Sequence, residues 1–164
     1  MLLNRNTIFP AAVTAKPIQY ALGALRRDFD RIFAATAAPG GRLLLTINHT
    51  LAAEQYTLTA GTDTLLLSAS DDLGFVYGLF EISRHFLGVQ PFWFWNDQPF
   101  EVRESVKIPT NTVIESKPAR VTYRGWFIND ETLLSHWKVE RRADLPFIMT
   151  FETLLAGRQH GYSR

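Results

Sequence analysis

The chain has 164 residues, of which 46% are hydrophobic and 20% charged, with a net charge of +1. That allows one domain with a real core, or one domain and part of another, of ordinary globular composition. Near-neutral charge argues against nucleic acid or an anionic membrane surface as partner, the absence of cysteine excludes disulfides and thiolate metal sites, and no apolar run approaches the ~20 residues that span a bilayer.

The first residues, Met1 to Asn6, lack a basic segment followed by an apolar run. No signal peptide is visible, and the chain as written is expected in the cytoplasm. Thr7 to Val13 reads as a short edge strand interrupted at Pro10. Pro17 suits the first turn of a helix. From Ile18 to Ala35, Leu22, Leu25, Phe29, Ile32 and Phe33 recur at helical spacing, with Arg26, Arg27, Asp28, Asp30 and Arg31 mostly on the other side. The Pro39-Gly40-Gly41 run is expected to stop this helix. Arg42 to Asn48 is so continuously apolar that it predicts an interior strand covered on both faces. Gln55–Ala60 and Thr64–Ser68, joined through Gly61-Thr62-Asp63, predict a β-hairpin.

Ser70-Asp71-Asp72 offers a cap and negative charge for a second helix, reaching to about Leu87 with a stripe of Phe75, Leu79, Ile82 and Phe86. Gly74 and Gly78 each cost about 1 kcal/mol against alanine inside a helix, so close approach of a neighbouring strand is expected there. Gly88 ends the helix. Val89 to Trp95 packs four aromatic residues in succession between Pro91 and Asn96, as a segment wedged between two layers would. A polar connection, Gln98 to Ser105, leads to short strands at Val106–Ile108 and Thr112–Glu115 around Pro109.

The element order predicts an α/β (α+β) domain: a mixed, largely antiparallel sheet with two helices on one face. No glycine-rich phosphate loop follows a strand, so a dinucleotide fold is unsupported. His49, His85, His136 and His160 show no metal-ligand spacing, and no serine sits in a nucleophile elbow. Neither an internal repeat nor a low-complexity segment is present.

Val121 to Glu131 stands apart. It is a strand-like run rich in Val, Thr, Tyr, Trp, Phe and Ile that ends on Asn129, Asp130 and Glu131. The first strand of a (β/α)8 barrel looks like this where it reaches the catalytic face. Such a barrel needs about 250 residues, and 33 follow Glu131. The expectation is therefore a complete leading domain followed by the opening of a second one. Ser116-Lys117-Pro118 is the linker, which gives residues 1–117 as an accessory domain and 118–164 as the first strand and helix of a barrel.

Three blocks carry a resemblance to a family. They are the helix with Gly74, Tyr77, Gly78 and Ser83; the segment Gly88-Val-Gln-Pro-Phe-Trp-Phe-Trp-Asn-Asp-Gln-Pro99; and Tyr123-Arg-Gly-Trp-Phe-Ile-Asn-Asp-Glu131. In this order and spacing they resemble the N-terminal region of family 115 glycoside hydrolases, which are xylan α-1,2-glucuronidases. Families 20 and 67 share the layout of a small α/β domain before a barrel. Phe92 and Phe94 depart from the family's tryptophan- and tyrosine-rich block. The ending, Gly157 to Arg164, does not resemble the family's second barrel strand.

The resemblance implies a parent enzyme that removes glucuronic acid or 4-O-methyl-glucuronic acid from glucuronoxylan with water and no cofactor. It implies Asn129, Asp130 and Glu131 as substrate-pocket residues, with no catalytic residue assigned. Neighbouring residues on a strand face opposite ways, so Asp130 and Glu131 cannot flank one bond together at the ~5–9.5 Å that paired carboxylates require. The 164-residue chain is then expected to be inactive alone. The alternative for Asp130 or Glu131 is a cap on the next helix. Trp93 and Trp95 either stack on sugar or fill an interface, and Arg124 either meets a substrate carboxylate or forms a structural ion pair. The competing reading of the whole chain is a carbohydrate-binding or self-associating domain, homo-oligomeric through the surface a barrel would have covered.

Overall fold

A computed structural model describes residues 1–91, 93 and 97–124. The chain divides into two compact units, residues 1–90 with 99–120, and residues 91–98 with 121–164.

The first unit is the expected mixed α/β domain. Its elements are β1 (Leu2–Leu3), α1 (Lys16–Ile32), β2 (Arg42–Ile47), β3 (Tyr56–Ala60), β4 (Thr64–Ala69), α2 (Asp72–Ile82) with a π-helical turn at Ser83–Leu87, β5 (Val106–Lys107) and β6 (Val113–Glu115). Four strands form one sheet in the order β2-β4-β3-β6, and β1 pairs with β5 in a second. Only β2–β4 is parallel; β3–β4, β3–β6 and β1–β5 are antiparallel.

Period-2 patterning sorts the sheet residues into two faces. Register puts Leu43, Leu65 and Ala60 in one row, Leu45, Leu67, Leu58 and Ile114 in the next, and Ile47, Ala69 and Tyr56 in a third. Apart from Ile47 at the end of β2, these rows turn toward the core, where Leu58, Leu65, Leu67 and Ala69 are at most 1% exposed. Burying one such leucine contributes about 1.5–3 kcal/mol. The helix α2 lies against β3 and β4, and α1 packs along α2.

Several expectations need correction. The strand β2 is not interior: it is an edge of the sheet, and Leu44 and Ile47 on it are 42% and 50% exposed. Leu44 turns to the outer face in a row with Leu66, Ile47 is the last residue of the strand, and on the free edge just Ile8 bridges Arg42. Thr7–Val13 forms no strand beyond that bridge, while Leu2–Leu3, not foreseen, pairs with Val106–Lys107.

The helix α1 ends at Ile32, well before Pro39. Phe33 turns extended because the chain there is captured by Arg103: Arg103 N donates to Ile32 O at 2.8 Å and Ala34 N to Arg103 O at 2.9 Å. The Pro39-Gly40-Gly41 run serves a close approach instead. A Cβ on Gly40 would fall 2.4 Å from Thr7 N and 2.5 Å from the Oδ1 of the fully buried Asn4. Asn4 Nδ2 donates to the carbonyls of Ala38 and Pro39, which ties the N-terminal turn to this run.

Helix α2 starts where its cap residues predict. Asp71 is the N-cap, accepting from Gly74 N at 2.8 Å through Oδ1 and from Glu54 N at 2.8 Å through Oδ2. The helix is buried on all sides from Gly74 to Ile82, not along one stripe, and Phe86 is only half-buried. The glycines meet the strands as expected. A Cβ on Gly74 would lie 2.5 Å from Gln55 O, and one on Gly78 would lie 2.3 Å from Leu67 Cδ1. Gly88, at φ 75°, closes the π turn.

In the second unit, Val121–Arg124 forms no strand, with Val121 56% and Tyr123 94% exposed. The rest of the expected barrel strand, 125–128, lies outside the described residues.

Candidate functional site

The aromatic stretch Val89–Trp95 leaves the α/β unit after α2 and the chain returns at Pro99. Each crossing is anchored. On the outgoing side, Gly88 N and Val89 N both donate to Ser83 O, and Leu87 and Val89 are buried. On the returning side, the Arg31 guanidinium lies 4.7 Å over the Phe100 ring, and Arg103 makes its two backbone bonds around Phe33. Cation–π contacts of this kind contribute ~0.5–2 kcal/mol.

Between the crossings lies a polar seam. Asp28, 2% exposed, accepts a hydrogen bond from Ser83 Oγ at 2.8 Å through Oδ2. Its Oδ1 faces Arg27 Nη2 at 3.4 Å and Arg31 Nη1 at 3.9 Å. Two residues before Ser83, the buried Glu81 takes a two-point bond from Arg84, Nε at 3.0 Å and Nη2 at 2.6 Å, with His85 Nδ1 at 3.7 Å. Two-point guanidinium–carboxylate pairs are directional and strong. Both carboxylates are thus engaged by cations within the fold, and neither is presented to a cleft as an acid or base.

Patterning placed Asp28 among the outward charged residues. Its spacing says otherwise: Ala21, Leu25, Asp28 and Ile32 follow one another by four, three and four residues, a single helical stripe. A carboxylate on the apolar stripe with arginines one residue before and three after it is the signal that would have found the seam.

Of the five residues expected at the parent's pocket, only Trp93 is described. It is half-buried, and its carbonyl accepts from Gln98 N at 3.2 Å. Asp97, at φ 45°, directly precedes Gln98. Trp95, Asn129, Asp130 and Glu131 lie outside the described residues, as do His136 and Trp137. Arg124 donates from Nη1 to Val121 O. His85 is exposed and stands edge-on to Phe86. Among the described residues no group of three or more His, Cys, Asp or Glu could hold a metal ion, and no helix is long and apolar enough to cross a membrane.

No family model and no curated protein sequence matches the chain. Among solved structures it is similar to one described as a family GH115 4-O-methyl-alpha-glucuronidase with specificity for decorated arabinogalactans, at a TM-score of 0.73 and 23% identity. The match covers 96% of this chain and 25% of that one, so the chain spans a quarter of that protein's length and shares the fold of that part.

Proposed function

We propose that the chain is the N-terminal region of a glycoside hydrolase of the family 115 kind, which removes glucuronic acid or its 4-O-methyl ether from a plant polysaccharide. The carrying observation is the shared fold over 96% of the chain, in a sequence that also has the three motif blocks in order. In this reading residues 1–117 are the accessory domain, and 118–164 open the barrel. Asn129, Asp130 and Glu131 line the uronic acid pocket, and Trp93 and Trp95 stand near its rim. Xylan is the backbone the motifs suggest. The arabinogalactan specificity of the similar structure makes the terminal uronic acid, not the backbone, the group that defines the substrate.

The test is the coding DNA beyond codon 164, joined to an assay. A barrel resuming downstream, whose full-length product releases (4-O-methyl)glucuronic acid from glucuronoxylan or arabinogalactan, supports the proposal. No barrel in any frame, or a full-length product silent on both polymers, overturns it. The 164-residue chain alone is expected to release none, because one strand supplies at most one member of a catalytic carboxylate pair.

Self-association is the second reading. It is favoured by the exposure of Val121 and Tyr123 and by the open outer face of the sheet, where Leu44 and Val113, 42% and 52% exposed, lie in one row with Leu66 and Thr59.

A further inference from the structure

We infer that Asp28 is a positioning residue that locks together the two chain segments of the α/β unit that flank residues 91–98. This rests on the reading of Trp93 and Trp95 as functional, but its test does not. Asp28 is linked to both crossings, each through one intermediate side chain. Through Oδ2 it holds Ser83, whose carbonyl anchors Gly88 and Val89 on the outgoing side. Through Oδ1 it faces Arg31, whose guanidinium covers Phe100 on the returning side.

Chemistry makes the arrangement more than packing. An ionised carboxylate at 2% exposure is costly to bury, and hydrophobic residues of similar volume would commonly hold two helices together as well. What an apolar residue could not do is fix directions. Oδ2 accepts from the Ser83 hydroxyl, and Oδ1 faces two guanidiniums. The π turn contributes by placing Ser83 where its hydroxyl meets α1 and its carbonyl takes two N–H groups at once. Four residues, Asp28, Ser83, Arg31 and Phe100, thereby connect segments far apart in sequence. The frame lies entirely within the α/β unit.

The two oxygens make two separable arms. Ser83→Ala cuts the outgoing arm and Arg31→Gln the returning arm. Asp28→Ala cuts both, while Asp28→Asn keeps an acceptor for Ser83 and loses the charge that faces Arg31. Backbone hydrogen exchange of the full 164-residue chain reads them out. Ser83→Ala is expected to speed exchange about tenfold at residues 87–90 and not at 100–103. Arg31→Gln should do the reverse, and Asp28→Ala should loosen both. Asp28→Asn should restore protection at 87–90 only. Exchange in β3 and β4 is expected to stay within about twofold of wild type. Acceleration spread evenly over sheet and crossings, or no change at either crossing in the two single-arm variants, overturns the inference. If Asp28→Ala does not fold, the single-arm variants and Asp28→Asn decide it.

Discussion

Asp71 joins two loops and a helix through one carboxylate. Burial raises its pKa, but hydrogen bonds from Glu54 N, Gly74 N, the Ser70 side chain and Leu73 N outweigh burial and hold it below the usual aspartate value. One of those bonds secures Glu54, a non-glycine residue at φ 65°. Asp71→Ala is expected to cost about 1–2 kcal/mol, the usual range for losing an N-cap. The sign of the pH effect follows from the depressed pKa. The ionised form is the one the fold stabilises, so the contribution is complete above the unfolded value of about 3.9 and fades as pH falls through the lower folded value. Asp71→Asn should therefore be less stable than wild type at pH 7, with the gap narrowing as pH falls below the unfolded value, measured by urea unfolding. A gap that persists unchanged at pH 2 would mean that the charge is irrelevant.

At the scale of elements, α2 is where sequence and packing meet most directly. Its two glycines weaken an isolated helix, yet each sits against a strand with no room for a methyl group. Leu67 is fully buried and cannot swing aside. Gly78→Ala is expected to destabilise by roughly 1–2 kcal/mol, overpacking outweighing the gain in helix propensity. In a Leu67→Ala background the same change should be neutral or stabilising by up to ~1 kcal/mol, since the obstacle is gone. Equal destabilisation in both backgrounds would refute the close-approach account. The hairpin and both helix starts were legible because Gly61-Thr62-Asp63, Pro17 and Asp71 act locally. The end of α1 was not, since Arg103, far along the chain, captures Phe33. The edge position of β2 was equally hidden: an apolar run states that leucines are available for burial, not how many neighbours will arrive. The expected pocket was legible only as motif blocks, because a pocket is an agreement between segments and four of its five named residues lie beyond those described.

On the scale of the whole molecule, charge is nearly balanced at +1, so little repulsion opposes contact between copies. With Val121, Tyr123, Leu44 and Val113 exposed, light scattering across a tenfold concentration range should give a mass rising above the 18.7 kDa of one chain. A constant single-chain mass would remove the self-association reading and leave the hydrolase reading untouched.

The pairing of β1 with β5 also sets a schedule. Leu2 aligns with Lys107 and Leu3 with Val106, so among the first residues made are two whose partners come more than a hundred residues later. At ~5–20 residues per second, the β1 segment waits roughly 5–20 s on the ribosome without its mate. The β3–β4 hairpin, closed by three residues, needs only microseconds once it emerges. The unit is therefore expected to condense around the hairpin and α2, and to seal last at its beginning. Ribosome-stalled chains should gain protease resistance in the 56–82 region before residues 1–10 do. Simultaneous protection of both regions would show that the unit folds only as a whole.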